Sequence, residues 1–169
     1  GLGICYEVKT LPGIEESYPD TLSGEEIPVF IACEKADAYR QTMHSDELII
    51  TADTIVWLDG LVMGKPEDEE DARRMLRCLS GKTHQVITGV CLTTTEFQKS
   101  FATVTDVTFA ELTEEEIDYY VQKYKPMDKA GSYGIQEWIG FVGVEGITGS
   151  YFNVMGLPIQ RLYKELKKL

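Results

Sequence analysis

The segment Ile49–Pro66, with the sequence IITADTIVWLDGLVMGKP, constrains the fold of this chain more than any other stretch. Two apolar runs flank the tetrapeptide TADT, and the second run ends in Asp59-Gly60. Asp-Gly between apolar runs is a strong signal for a two-residue turn, so the segment predicts an antiparallel hairpin in which Leu58 faces Leu61. The next two predicted pairs are Trp57 with Val62 and Val56 with Met63.

The open end of this hairpin brings a carboxylate and an ammonium group together. Continuing the register places Thr54 opposite Lys65 and Asp53 about level with Pro66. Because side chains alternate between the two faces of a strand, Asp53 and Lys65 are expected to be diagonal neighbours rather than a direct cross-strand pair. Two interpretations stay open: an ordinary salt bridge at the mouth of a hairpin, or two charged groups of a functional site.

Composition narrows the classes of partner. The length of 169 residues fits one domain, or two small lobes that share a core. The net charge of −12 argues against a nucleic-acid-binding or anionic-membrane surface, since either would need a basic patch. An anionic small molecule is still compatible with this charge, but it must be met by a few placed cations and by a divalent metal.

The cysteines and histidines do not form a metal-binding pattern. None of the cysteines makes a CxxC pair, and only His44 and His84 are available to join them. We therefore expect free thiols in a reducing cytoplasm rather than a zinc site or disulfides. No apolar run approaches the length of a membrane span, and no signal peptide is predicted. The cysteines are Cys5, Cys33, Cys78 and Cys91.

The remaining pattern predicts alternating helices and strands. In the first half of the chain we expect a strand over Ile4–Leu11, a helix capped by Ser23 and a helix starting at Pro66. A hairpin of residues 83–95 and 100–110 follows, and then a helix that opens with a capping box at 113–116 and ends before Pro126. The last part is expected to contain a strand over Trp138–Val144, turns at 145–146 and 148–150, an extension of the sheet over Tyr151–Val154, and a helix starting at 155–158.

Two charged side chains outside the hairpin are candidates for the same site. Lys35 continues an apolar helix stripe with Ile27 and Ile31, so it either extends off the edge of that stripe or contacts a phosphate. Glu16 lies in a loop, where a carboxylate is usually solvated. Held near Asp53, it would instead offer a hard oxygen ligand to Mg²⁺.

The polar loop of residues 127–136 contains two glycines, which allow a ligand to approach the backbone closely. Gln136 and Lys129 in this loop are suitable donors for a nucleobase or a phosphate. His84 stands alone at the start of a strand, and we expect it to make a structural hydrogen bond.

Several short blocks, in this order, carry a resemblance to a known family. Between Val8 and Leu166, the chain resembles the Maf family of nucleoside triphosphate pyrophosphatases. The blocks are Glu34-Lys35-Ala36, Thr51-Ala52-Asp53-Thr54, Gly64-Lys65-Pro66, Leu79-Ser80-Gly81-Lys82, Lys125-Pro126-Met127-Asp128-Lys129-Ala130-Gly131, Tyr133-Gly134-Ile135-Gln136 and Asn153-Val154-Met155-Gly156-Leu157-Pro158.

The resemblance implies an α/β fold like that of the inosine triphosphate pyrophosphatases, with a mixed sheet, flanking helices and two lobes around a cleft, as a single domain over residues 1–169. It implies hydrolysis of a nucleoside triphosphate to the monophosphate and pyrophosphate with Mg²⁺ or Mn²⁺. The implied catalytic residues are Asp53, Lys65 and Lys35, the substrate-binding residues are Gln136, Lys35, Lys65 and Lys129, and the metal ligands are Asp53 and Glu16.

The Gly-Ile-Gln form of the last loop is similar to the family branch that acts on dTTP and UTP. Where the family usually has Asp before the loop acid, this chain has Glu15. The family also opens with a strand and a Ser-x-Ser-Pro-Arg-Arg-like segment that binds phosphates. Residues 1–169 contain no counterpart, and we expect it to precede Gly1.

Open alternatives are a purine or modified nucleotide as substrate, or a nucleotide-binding regulator of cell division and septum formation. The family also implies homodimers.

Overall fold

The Asp59-Gly60 turn forms as predicted and sets the register of the first hairpin. Strand β1 spans Ile49–Leu58 and strand β2 spans Leu61–Met63. All three predicted pairs are confirmed, from Leu58 with Leu61 to Val56 with Met63. Asp59 and Gly60 have φ values of 48° and 84°. These positive values at both central residues are the ones that a tight hairpin turn of this kind requires.

The computed structural model describes residues 1–11, 14 and 16–169. Within these residues the sheet has five strands in the order β2-β1-β3-β4-β5, where β3 is Thr83–Thr93, β4 is Gln98–Phe109 and β5 is Val144–Thr148. The four strand pairings are antiparallel, and the parallel pairing that a mixed sheet implies does not occur between the described strands. The predicted β3–β4 hairpin is confirmed.

Six helices in the described part of the chain flank the sheet and confirm the α/β class. They are α1 (Glu26–Arg40), α2 (Glu69–Leu79), α3 (Glu114–Tyr124), α4 (Trp138–Gly143), α5 (Tyr151–Val154) and α6 (Ile159–Leu166), with a 3-10 turn at Ala130–Ser132. The predicted capping box of α3 is present in both directions between Thr113 and Glu116. Within the described residues, no helix is long and apolar enough to cross a membrane.

Neighbouring residues of β1 point into different halves of the core. Val56 packs with α2 and α3 in the larger apolar cluster, whereas Ile55 packs with Ile27 and Ile31 of α1 on the opposite face. This alternation is the period of two expected for a strand covered on both faces. It places α1 on the face of β1 that also carries Asp53.

Six local predictions are wrong. Ile4–Leu11 forms no strand, and its residues are exposed. Ser23 does not cap α1, whose N-cap position is Glu25. Helix α2 begins after Pro66, because Asp68 caps it by accepting a hydrogen bond from the Asp71 backbone N–H. The turn expected at residues 145–146 lies inside β5.

The other two errors concern the segment before the last helix. Trp138–Val144 was expected as a strand but forms helix α4, followed by β5. Ile139 and Gly143 are buried while Phe141 is 80% exposed, which is a helical pattern. Short apolar runs fit either structure, so periodicity alone does not separate them. Tyr151–Val154 is helix α5, because the Ser150 hydroxyl accepts from the Asn153 backbone N–H at 3.2 Å and caps it.

Candidate functional site

A cavity of about 480 Å³ opens beside β1, at the open end of the first hairpin. Strand β2 pairs only with the last three residues of β1, so, in the part of the chain that is described, the edge of β1 before Val56 has no strand on this side. The cavity occupies that space. All six predicted site residues line it: Glu16, Lys35, Asp53, Lys65, Lys129 and Gln136.

Lys35 is the centre of a charged cluster on one wall. Its Nζ lies 3.3 Å from Asp53 Oδ1 and 3.2 Å from Glu16 Oε1. It also donates to the backbone carbonyl of Ala52 at 3.2 Å. The side chains of Lys35 and Asp53 are 21% and 11% exposed, whereas Glu16 is 45% exposed. The buried part of the cluster is therefore Lys35 and Asp53, with Glu16 at the solvent side.

Burial dominates the electrostatics of Asp53 and raises the pKa of its carboxyl above the ordinary value. The positive charge of Lys35 acts in the opposite direction, Glu16 adds a raising effect, and Lys65 contributes a smaller lowering effect. Two carboxylates near one ammonium group leave an excess of negative charge at this wall. An added cation would relieve that excess.

Helix α1 lies close to the sheet, and this closeness brings Lys35 to Asp53. Gly89 of β3 stands beside Asp53 in the sheet register. A Cβ atom at Gly89 would lie 2.3 Å from the backbone nitrogen of Val29, so only glycine leaves room for α1 at this distance. The Thr51 hydroxyl donates to the Ala32 carbonyl at 2.7 Å and ties the same helix to β1.

Lys65 reaches the cavity differently from the predicted cross-strand arrangement. Pairing of the hairpin stops at Val56 with Met63, so Thr54 does not face Lys65. Thr54 instead shares a hydrogen bond of 2.8 Å with the Thr88 hydroxyl. After β2 the chain is held by Gly64, whose carbonyl accepts from the Gly131 backbone N–H at 3.1 Å.

Lys129 and Gln136 line the cavity from the loop that follows α3. Lys129 Nζ lies 3.2 Å from Asp128 Oδ1 and 3.9 Å from Glu137 Oε1. Gln136 is exposed, although the residues just before it are buried. Its amide is therefore free of the core and lines the cavity with both a donor and an acceptor.

The comparison with protein families decides the lineage. A family model described as Maf-like protein matches residues 2–169. The chain belongs to the Maf family.

Curated relatives that share one name match all or nearly all of this Maf chain. A protein of Phocaeicola vulgatus named dTTP/UTP pyrophosphatase is 80% identical over 169 residues, which are all of this chain and 88% of that protein. A Bacteroides fragilis protein of the same name is 71% identical over the same shares of both chains. A Flavobacterium psychrophilum protein of that name is 48% identical over 96% of this chain and 83% of its own length.

Several lining residues of the Maf site were not predicted individually, among them Tyr18, Asp128, Tyr133, Met155 and Gly156. Apart from Tyr18, they fall in the sequence blocks that carried the family resemblance, which was the available signal.

Buried polar side chains hold two of these blocks in place. His84 makes the structural hydrogen bond predicted for it, with its Nε2 2.6 Å from the Tyr133 hydroxyl. Asn153 is fully buried and its side-chain amide lies 3.2 Å from the Val86 carbonyl and 3.0 Å from the Thr103 carbonyl. Asn153 thereby anchors α5 and the Met155-Gly156 wall to the sheet.

The donor set of this Maf protein suits a hard divalent cation. Among the described residues, no cluster of three or more His, Cys, Asp or Glu side chains is arranged to hold a metal ion. Asp53 and Glu16 do share one wall through Lys35. Mg²⁺ is commonly held by one or two carboxylates together with phosphate oxygens and water, so two carboxylates fit a metal that arrives with a phosphorylated substrate.

Proposed function

We propose that this Maf protein hydrolyses nucleoside triphosphates, with dTTP and UTP as its substrates, to the nucleoside monophosphate and pyrophosphate. The observation that carries the proposal is the meeting of Asp53, Lys35 and Lys65 at one cavity. The name dTTP/UTP pyrophosphatase, borne by the relatives, supports the choice of substrate.

The two lysines are suited to a polyphosphate. A triphosphate brings several negative charges into a protein whose net charge is −12, so local cations must offset the repulsion. Lys65 is exposed at the cavity and free to approach phosphate oxygens. Lys35 is held by two carboxylates, and it both orients Asp53 and meets the phosphate nearest the wall.

Asp53 is the proposed catalytic carboxylate. It accepts a hydrogen bond from the attacking water and orients it toward the α-phosphorus, or takes its proton as the new bond forms. The water oxygen bonds to the α-phosphorus, the bond from that phosphorus to the bridging oxygen breaks, and pyrophosphate leaves. Asp53 and Glu16 would hold Mg²⁺ or Mn²⁺, which when bound offsets phosphate charge and polarises water.

The loop that carries Lys129 and Gln136 is assigned to the nucleoside. Gln136 offers a donor and an acceptor, which matches the hydrogen-bonding edge of thymine or uracil. Lys129 stands beside it and contributes a further donor at this end. Purine or modified nucleotides stay an alternative that a substrate panel separates.

The cellular setting follows from the proposed reaction. Nucleoside triphosphates are cytoplasmic metabolites, and the four free cysteines suit a reducing compartment, so we place the protein in the cytoplasm. Homodimer formation stays a prediction. A role in septum formation without useful turnover would appear as nucleotide binding with no product.

Hydrolysis in ¹⁸O-labelled water tests the proposal. The full-length protein is given dTTP, UTP and a purine triphosphate with Mg²⁺, and the products are separated by mass spectrometry. We expect pyrophosphate and monophosphate from dTTP and UTP, with the label in the monophosphate because water attacks the α-phosphorus. Label in pyrophosphate, release of a single phosphate, or binding without product would contradict the proposal.

A further inference from the structure

Tyr120 is a buried tyrosine of α3 that does not line the cavity itself. Its side chain is completely buried and stacks on Tyr124, with ring centroids 5.1 Å apart. Burial raises the pKa of its phenol well above the ordinary range, so the hydroxyl stays protonated at neutral pH. A buried hydroxyl of this kind needs hydrogen-bond partners.

Both partners of the Tyr120 hydroxyl lie in the turn that carries Gln136. The hydroxyl accepts from the Gly134 backbone N–H at 3.0 Å and donates to Glu137 Oε1 at 2.6 Å. One partner precedes Gln136 by two residues and the other follows it directly. The Glu137 backbone N–H closes the same turn by donating to the Gly134 carbonyl at 3.0 Å.

The same hydrogen bonds extend to Lys129. Glu137 Oε1, which accepts from Tyr120, also lies 3.9 Å from Lys129 Nζ. A Cβ atom at Gly134 would lie 2.8 Å from Lys129 Cε and 2.9 Å from Glu137 Oε1, so these groups are closely packed around the turn. Gln136 itself is exposed, and the hydrogen bonds of Gly134 and Glu137 hold the backbone on either side of it.

We propose that Tyr120 is a positioning residue for base recognition: its hydroxyl fixes the turn of residues 134–137 so that the Gln136 amide faces the nucleobase. The proposal rests on the proposed function, because it assigns Gln136 to the base. Tyr120 does not touch the substrate. Its loss therefore weakens binding of ligands that carry a base and leaves binding of the phosphate chain unchanged.

Removal of one oxygen atom by Tyr120→Phe tests this. Calorimetry on the full-length protein measures the dissociation constants of the non-hydrolysable α,β-imido-UTP and of inorganic triphosphate, which has no base. Because the buried Gly134 N–H loses its partner, we expect the dissociation constant of α,β-imido-UTP to rise about tenfold, and that of inorganic triphosphate to change less than about twofold. KM for UTP rises in parallel, with little change in kcat.

Tyr124→Phe is the matched control, since Tyr124 stacks on Tyr120 and, within the described residues, its hydroxyl is not bonded to the turn. It should leave both ligands unaffected. In a Gln136→Ala background, Tyr120→Phe should have no further effect on α,β-imido-UTP, because the group that it positions is gone.

Two results would overturn the positioning role: equal weakening of inorganic triphosphate and α,β-imido-UTP, which indicates a general structural defect, or no effect of Tyr120→Phe beyond that of Tyr124→Phe. Failure of the proposed function is a separate observation, namely a wild-type protein that releases no pyrophosphate from dTTP or UTP. The binding comparison can be made even then, because it needs no turnover.

Discussion

At the scale of single residues, burial decides what the polar groups of this protein can do. Asp53 and His84 both lie in surroundings that penalise charge, yet their situations differ. Asp53 has Lys35 within 3.3 Å and stands at a cavity, whereas His84 is 1% exposed and bonds to the Tyr133 hydroxyl. In the first arrangement Lys35 partly offsets the cost of a charged carboxylate at the cavity, and in the second the core favours a neutral imidazole.

His84 should make stability depend on pH. Burial lowers its pKa to about 4 from the ordinary 6.5, and Asp106 opposes this only in part. Its neutral form is therefore favoured in the folded state, so its contribution is complete above about pH 6.5 and is lost as the pH falls toward 4. Relative to His84→Gln, the wild type should lose about 2 kcal/mol of unfolding free energy between pH 7.5 and pH 5.

Urea denaturation at the two pH values measures this difference. His44→Gln is the matched control, because it makes the same substitution at an exposed position. Identical pH dependence in the wild type and His84→Gln would show that the buried imidazole does not carry the effect.

At the scale of elements, the site depends on how closely α1 approaches the sheet. Lys35 is supplied by α1 and Asp53 by β1, and Gly89 of β3 leaves the space that allows them to meet. Lys65 reaches the cavity through a backbone hydrogen bond between Gly64 and Gly131, which are distant in sequence. The site is thus assembled by contacts between elements rather than by one local motif.

Gly89→Ala should separate α1 from the sheet. The new methyl group would overlap the backbone at Pro28 and Val29, so we expect a loss of about 1–3 kcal/mol in unfolding free energy. Because Lys35 moves with α1, pyrophosphate release should fall by at least about tenfold. Both are measured in the full-length protein by urea denaturation and a pyrophosphate assay.

Gly146→Ala in β5 is the control, since a Cβ atom there meets nothing within 4 Å. It should match the wild type in both assays. Normal activity and stability in Gly89→Ala would show that the position of α1 is not set by this contact.

At the scale of the whole molecule, structures that depend on short sequence signals were predictable from the sequence, and contacts between distant segments were not. The Asp59-Gly60 hairpin and the Thr113 capping box follow from short-range chemistry, and both formed as expected. The helix α4 was expected as a strand, because an apolar run such as Trp138–Val144 fits either structure until its neighbours are known.

The candidate site shows the same division between local and distant information. Residue types and the family resemblance pointed to six of the charged and amide side chains that line the cavity, although not to Asp128 individually. The means by which they meet were not predictable: the Gly64–Gly131 hydrogen bond, the close approach at Gly89 and the Tyr120 support are contacts between distant segments. No periodicity within one element reports such contacts.

Pyrophosphate release from dTTP by full-length Asp53→Asn tests the central claim, that this cavity is a polyphosphate site with Asp53 as its catalytic carboxylate. Asp59→Asn is the control, because Asn-Gly serves equally well in the hairpin turn. We predict that Asp53→Asn lowers kcat by about a thousandfold, as expected on losing a group that orients or deprotonates water, while its urea unfolding stays cooperative and Asp59→Asn keeps wild-type turnover. Near-normal dTTP hydrolysis by Asp53→Asn would contradict the account.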